Sequence, residues 1–143
     1  MPLFMVNDCD DLAYPMASWI KTYHDAKPAA AFVSQTFGHS HNAGDRPEVL
    51  RFAKAKCGLA TMPPTFSNFK INGNIISVDF AGGKPPYSAV AIYTTQQYSG
   101  GKREWLTAPA KIDGNHISAT LPEGVVYAFI NLTDAEGPVS ALE

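Results

Sequence analysis

The chain has 143 residues, 45% hydrophobic and 17% charged, with a formal net charge of -2 at pH 7. That balance supplies a packed core and argues against disorder. It argues equally against a nucleic acid or an anionic membrane as a partner held by bulk electrostatics, and no apolar stretch approaches the ~20 residues of a membrane span.

Residues 3–6 form a short apolar run that reads as a strand, with neither the basic region nor the apolar core of a signal peptide. Asn7-Asp8-Cys9-Asp10-Asp11 follows as an acidic loop. A helix comes next: Pro15 suits its first turn, and Met16, Trp19, Ile20 and Tyr23 fall on one apolar face before Lys27-Pro28 ends it. Residues 29–34 are a near-continuous apolar run, the pattern of a strand buried on both faces of a parallel sheet. The run stops at Thr36-Phe37-Gly38-His39-Ser40-His41-Asn42. Asp45-Arg46-Pro47-Glu48 reads as a second helix start, with Asp45 as cap, Val49, Leu50, Ala53 and Cys57 as the buried face, and Gly58 as the stop. Residues 1–60 thus read as one β-α-β crossover plus a closing helix. Two parallel strands cannot bury both their faces, so this half calls for a larger sheet than the chain contains.

Composition changes at Thr61-Met62-Pro63-Pro64. Beyond it the hydrophobic period is near two and turn signals recur. Residues 65–71 read as a strand leading to the hairpin signal Asn72-Gly73-Asn74, and Ile76, Val78 and Phe80 alternate along the next. Residues 89–95 form another, broken by Ser99-Gly100-Gly101. Arg103-Glu104-Trp105-Leu106 and residues 108–112, 116–121, 125–132 and 138–142 complete the series, with turns at Asp113-Gly114, Pro122-Glu123-Gly124 and Asp134-Ala135-Glu136-Gly137. Such spacing suggests an all-β sandwich of immunoglobulin-like type.

The chemistry is densest at Gly38-His39-Ser40-His41. A histidine delivered at the C-terminal tip of a buried strand is placed where α/β sheets carry active sites. If the first two strands are parallel neighbours, Asp8, Asp10 and Asp11 leave the same edge, and an aspartate can orient a histidine base. Three other readings stand beside this one. Asp11 caps the helix while His39 satisfies a turn. His39 and His41 supply imidazoles, with a carboxylate, to a metal; His24 lies apart on the helix. Cys9 serves as a nucleophile, although on the acid's own loop. The two cysteines, Cys9 and Cys57, otherwise read as free thiols, since two make neither a disulfide framework nor a zinc knuckle.

Asn7-Asp8-Cys9-Asp10-Asp11-Leu12-Ala13-Tyr14-Pro15, followed by Ser18-Trp19-Ile20-Lys21-Thr22-Tyr23, resembles the acid-bearing segment of secreted α/β-hydrolases of the acetylxylan esterase, dienelactone hydrolase and prolyl oligopeptidase kind. There an aspartate precedes an apolar or aromatic residue, Ala-Tyr-Pro and a Ser-Trp-x-Lys-x-Tyr helix. Gly38-His39 resembles that family's histidine step, and Arg46-Pro47-Glu48-Val49-Leu50-Arg51-Phe52-Ala53 its closing helix. The resemblance implies an α/β fragment, the C-terminal β-α-β-α of an α/β-hydrolase, in residues 1–60, and an accessory immunoglobulin-like sandwich in residues 61–143. It implies Asp11 as triad acid and His39 as triad base, with Asp10 and His41 as rivals, no metal or organic cofactor, an ester or amide substrate (carbohydrate-linked ones included), and a periplasmic or extracellular setting.

The chain departs from that pattern in two places. Its acid loop is more acidic and carries a thiol, and the Gly-x-Ser-x-Gly nucleophile elbow is absent from the sequence. Ser34 and Ser40 flank the histidine but sit on no elbow. The expectation is therefore the acid-and-base portion of a serine hydrolase, inactive alone, with a non-catalytic β-sandwich binding module as the alternative. In the second half Trp105 and Tyr127 are candidates for a sugar-stacking platform or for core. Asn131-Leu132-Thr133 is a glycosylation sequon in a eukaryotic secretory setting.

Overall fold

The computed structural model describes residues 2–36, 38–97 and 102–142. The Ser99-Gly100-Gly101 break, and Phe37 of the histidine loop, lie outside the described residues. Strand β1 (Phe4–Asp8) pairs in parallel with β2 (Ala30–Ser34), with Phe4 opposite Ala30 and Asp8 opposite Ser34. Helix α1 (Met16–Ala26) connects them, and α2 (Pro47–Lys56) follows β2. The rest of the chain supplies β3 (Thr65–Asn72), β4 (Ile75–Ala81), β5 (Ser88–Thr94), β6 (Leu106–Pro109), β7 (Lys111–Asp113), β8 (His116–Thr120), β9 (Tyr127–Asp134) and β10 (Gly137–Ala141). These make two four-stranded sheets, β3-β4-β8-β7 and β10-β9-β5-β6, antiparallel throughout.

Period-two alternation builds the space between the two sheets. Ile76, Val78 and Phe80 of β4 and Ile117 of β8 meet Ala91, Ile130, Leu132 and Val139 from the other sheet in one buried cluster. Burial of each such large side chain contributes about 1.5–3 kcal/mol. The alternate residues of β5 and β9, Ile92 and Phe129, point the other way, into a second cluster with Cys9, Met16, Trp19, Ala31 and Val33. The β10-β9-β5-β6 sheet is therefore a middle layer, covered on one face by its partner sheet and on the other by α1 and β2.

This arrangement overturns the α/β-hydrolase fragment expected for residues 1–60. Among the described residues the chain is mostly β, with three sheets and two short α-helices. The parallel sheet stops at two strands among the described residues. The burial that two strands cannot supply comes from the neighbouring antiparallel sheet, not from further parallel strands. At the edge of β2, the Val33 N–H donates to Ser140 Oγ at 2.8 Å, and the Val33 carbonyl accepts from Asn131 Nδ2 at 3.1 Å. The Ser140 hydroxyl donates to Asn131 Oδ1, which closes the set. Ser140 and Asn131 stand directly opposite each other on β10 and β9. Two side chains thus satisfy backbone groups that a third strand would otherwise pair. The two four-stranded sheets of the remainder are compatible with a β-sandwich.

Local expectations shift in two further places. Helix α2 buries Glu48, Arg51 and Phe52, while Leu50 is 50% exposed and Cys57 is exposed. The helix turns Phe52 onto Phe4 of β1, ring centroids 5.2 Å apart, and Arg51 onto Asp134 at 2.7 Å. These contacts outweigh burial of the more apolar stripe. Asp45 does not cap it; it lies in a preceding 3-10 turn, and the N-cap is Arg46 without a side-chain cap bond. The stretch around Arg103 is not a strand, which begins at Leu106, and residues 108–112 divide at Ala110 so that β6 and β7 join different sheets.

Candidate functional site

The two parallel strands end side by side, so the loops that follow them leave one edge. The Cys9 N–H donates to the Ser34 carbonyl at 2.9 Å and extends the pairing by one residue. The acid loop is then stitched to itself. Asp8 Oδ1 accepts the Asp10 N–H at 2.9 Å, and Asn7 Nδ2 donates to the Tyr14 carbonyl at 3.0 Å. Asp11, 7% exposed, accepts the N–H groups of Ala13 and Tyr14 on Oδ1, at 2.8 and 3.0 Å. This is a local turn, since α1 starts only at Met16.

The histidine loop is held in a similar way. Ser34 Oγ accepts the Thr36 N–H at 3.1 Å, and Gly38 takes φ +60°, a left-handed conformation that glycine adopts without a Cβ penalty. His39 then presents Nδ1 to both Asp11 oxygens, 3.1 Å from Oδ1 and 3.2 Å from Oδ2. The imidazole is 44% exposed. Tyr14 stacks on it with ring centroids 5.9 Å apart and planes at 29°, and His41 meets it edge-on at 5.6 Å.

Electrostatics fixes the proton. Burial pushes the Asp11 carboxyl up, but the Tyr14 N–H, the His39 ring and the Ala13 N–H together outweigh it and hold it below the ordinary carboxylate range. An ionised carboxylate only accepts, so Nδ1 of His39 is the donor, and in the neutral ring Nε2 keeps its lone pair. A base needs that state: one nitrogen anchored and the other able to take a proton.

The structure brings Asp11 and His39 together and leaves both rivals out of that contact. Asp10 donates its backbone N–H to Asp8, and its Oδ1 is buried without a hydrogen-bond partner among the described residues. His41 touches the His39 ring and no carboxylate among the described contacts. Cys9 is 5% exposed. Burial, followed by the Asp8 and Asp10 carboxylates, pushes its thiol up, so it stays protonated and is a poor nucleophile. Among the described residues no serine or cysteine is hydrogen-bonded to His39, and no group of three or more His, Cys, Asp or Glu side chains is placed to hold a metal ion. Ser40 Oγ is engaged with the Asn42 N–H at 3.1 Å.

Trp105 packs edge-on against Phe129 at 5.8 Å, and the Arg103 guanidinium lies 4.9 Å from the centre of the Tyr127 ring. Both rings considered for sugar stacking thus make contacts within the protein. Two features had no counterpart in the sequence reading. Tyr14 covers one face of His39; its position three residues after Asp11 was the available signal. A second pair, Asp79 and His116, meets at 2.6 Å as cross-strand neighbours on β4 and β8. His116, then Asn68, holds that carboxyl low. Both side chains are well exposed, at 39% and 50% for Asp79 and His116, as expected of a surface pair on a sheet.

No family model matches this chain, and no curated protein matches it.

Proposed function

We propose that Asp11 and His39 are the acid-and-base half of a Ser-His-Asp hydrolytic site acting on an ester or amide carbonyl. One observation carries this reading: a buried, backbone-anchored carboxylate offers both oxygens to Nδ1 of a half-exposed histidine across the tips of two paired strands. In the reaction a serine hydroxyl attacks the carbonyl carbon. His39 Nε2 takes the hydroxyl proton and later gives it to the leaving group, while Asp11 stabilises the imidazolium between the two events. No serine among the described residues is hydrogen-bonded to His39, so the nucleophile is a serine outside that set of contacts.

Hydrolysis of p-nitrophenyl acetate tests this in two stages. The chain alone turns the ester over no faster than an equal concentration of free imidazole. Turnover above that level which disappears in His39→Ala would place the nucleophile within the chain. In mildly alkaline buffer, nitrogen NMR of the imidazole shows His39 protonated on Nδ1, and Asp11→Asn removes that preference. A ring with no tautomer preference, or one indifferent to Asp11→Asn, ends the acid–base reading.

A second reading, a non-catalytic binding module, draws on an open cleft of about 410 Å³ between the β3–β4 hairpin and the loop before β9, lined by Ile71, Leu121, Pro122 and Val125. Its size and apolar lining suit a small ligand. Binding of an apolar fluorescent probe that survives His39→Ala and is lost in Val125→Asp would favour it.

A further inference from the structure

We propose that Asn131 and Ser140 are positioning residues for the Asp11–His39 pair, acting through Val33; the inference rests on the acid–base reading given above. Both side chains are more than nine-tenths buried, at 8% and 1% exposed. Among the described contacts neither is hydrogen-bonded to His39. They grip Val33, the fourth of the five residues of β2, by its N–H and its carbonyl at once. The Ser140 hydroxyl donates to Asn131 Oδ1, so the two bonds to Val33 are joined into one set rather than standing apart.

The consequence runs along the strand. Val33 lies opposite Asn7 of β1, and the next pair, Ser34 opposite Asp8, carries both functional loops. Ser34 turns the chain toward His39 through its bond to the Thr36 N–H, and its carbonyl ties it to Cys9 on the acid's side. Any slide or tilt of β2 therefore moves His39 relative to Asp11. In a parallel sheet of many strands the next strand would suppress such motion by its backbone ladder. Here a serine and an asparagine about a hundred residues later replace it, with sequence separations of 107 and 98. The residues of the middle sheet thus belong to the functional unit, because they set the register of the strand that delivers the base.

The test uses the full chain labelled with nitrogen-15. In the unmodified protein His39 gives one tautomer with a slowly exchanging Nδ1 proton. Ser140→Ala and Asn131→Ala remove that slow proton and mix the tautomers, while the amide spectrum remains that of a folded chain. The Val33 amide exchanges on the order of tenfold faster, as expected when one buried hydrogen bond is lost. Arg51→Ala is the comparison, because it cuts another buried contact between the first sixty residues and the sandwich, the one to Asp134 of β9. It leaves the His39 signal unchanged. Ser140→Cys, close in volume and weaker in hydrogen bonding, shows an intermediate loss and replaces the alanine variant should that one not fold. An unchanged His39 signal in the Ser140 and Asn131 variants, or an equal loss in Arg51→Ala, overturns the positioning role. In the first of these outcomes, a signal still sensitive to Asp11→Asn leaves the acid–base pair standing; a signal insensitive to Asp11→Asn removes both.

Discussion

Arg51 of α2 places Nη2 2.7 Å from Oδ2 of Asp134 at the end of β9, with the two side chains 6% and 0% exposed. Asp134 also accepts the backbone N–H groups of Lys84 and Glu136 at 2.9 Å each, and Arg51 donates to the Gly137 carbonyl at 3.1 Å. A buried charge in such a network is stable only with its partners in place. Asp134→Ala therefore lowers stability by about 3–5 kcal/mol, read from the midpoint of urea unfolding. The double variant with Arg51→Ala loses less than the sum of the two single changes.

Acid weakens the same contact. Burial pushes the Asp134 carboxyl up, but the Arg51 guanidinium and the N–H groups of Glu136 and Lys84 outweigh it and hold it below the ordinary range. A carboxyl depressed by folding adds stability above its unfolded pKa, ~3.9, and that stability is lost as pH falls through the lower folded value. Asp11 acts in the same direction. Thermal melts at stepped pH should show stability falling below about pH 4. Asp134→Asn should show a shallower fall over that window.

The turn function of Asp11 separates from its charge. Asp11→Ala removes the acceptor for the Ala13 and Tyr14 N–H groups and costs about 1 kcal/mol, as loss of a local carboxylate acceptor does elsewhere. Asp11→Asn keeps an acceptor oxygen and loses less in urea unfolding, although both variants strip His39 of its anion.

Two glycines with nearly the same backbone angle make a controlled comparison. Gly83 has φ +75°, and a Cβ there would sit 2.6 Å from Pro64 Cγ and 2.7 Å from Asp134 Oδ2. Gly58 has φ +74° in the turn that closes α2, with nothing within 4 Å. Gly83→Ala should be the more damaging by about 1–3 kcal/mol, the cost of overpacking added to a shared conformational cost. Equal unfolding midpoints for the two variants would contradict the close approach.

Much of the strand pattern was legible because alternation is a local signal. Ile76, Val78 and Phe80 were read as one face, and all three are buried. The loops that carry Asp11 and His39 were legible as loops from local sequence too: each directly follows a short apolar run. The buried face of α2 was not. Glu48 and Arg51 are charged, and Arg51 is inside only because Asp134 lies 83 residues further on. The fold class failed on a related point. A parallel pair implies more parallel strands unless something else satisfies and covers it, and here Ser140, Asn131, Ile92 and Phe129 do so from distant sequence. No local period announces a side chain that stands in for a strand.

Asn131 also begins the triplet Asn131-Leu132-Thr133. Its amide nitrogen is the atom a glycan would take, and in the folded chain that nitrogen donates to Val33. Sugar attachment and native folding therefore compete for one atom. In a eukaryotic secretory host, the glycosylated fraction would count the molecules that met the transferase before β9 closed over β2, and those molecules would carry a permanent record of slow folding.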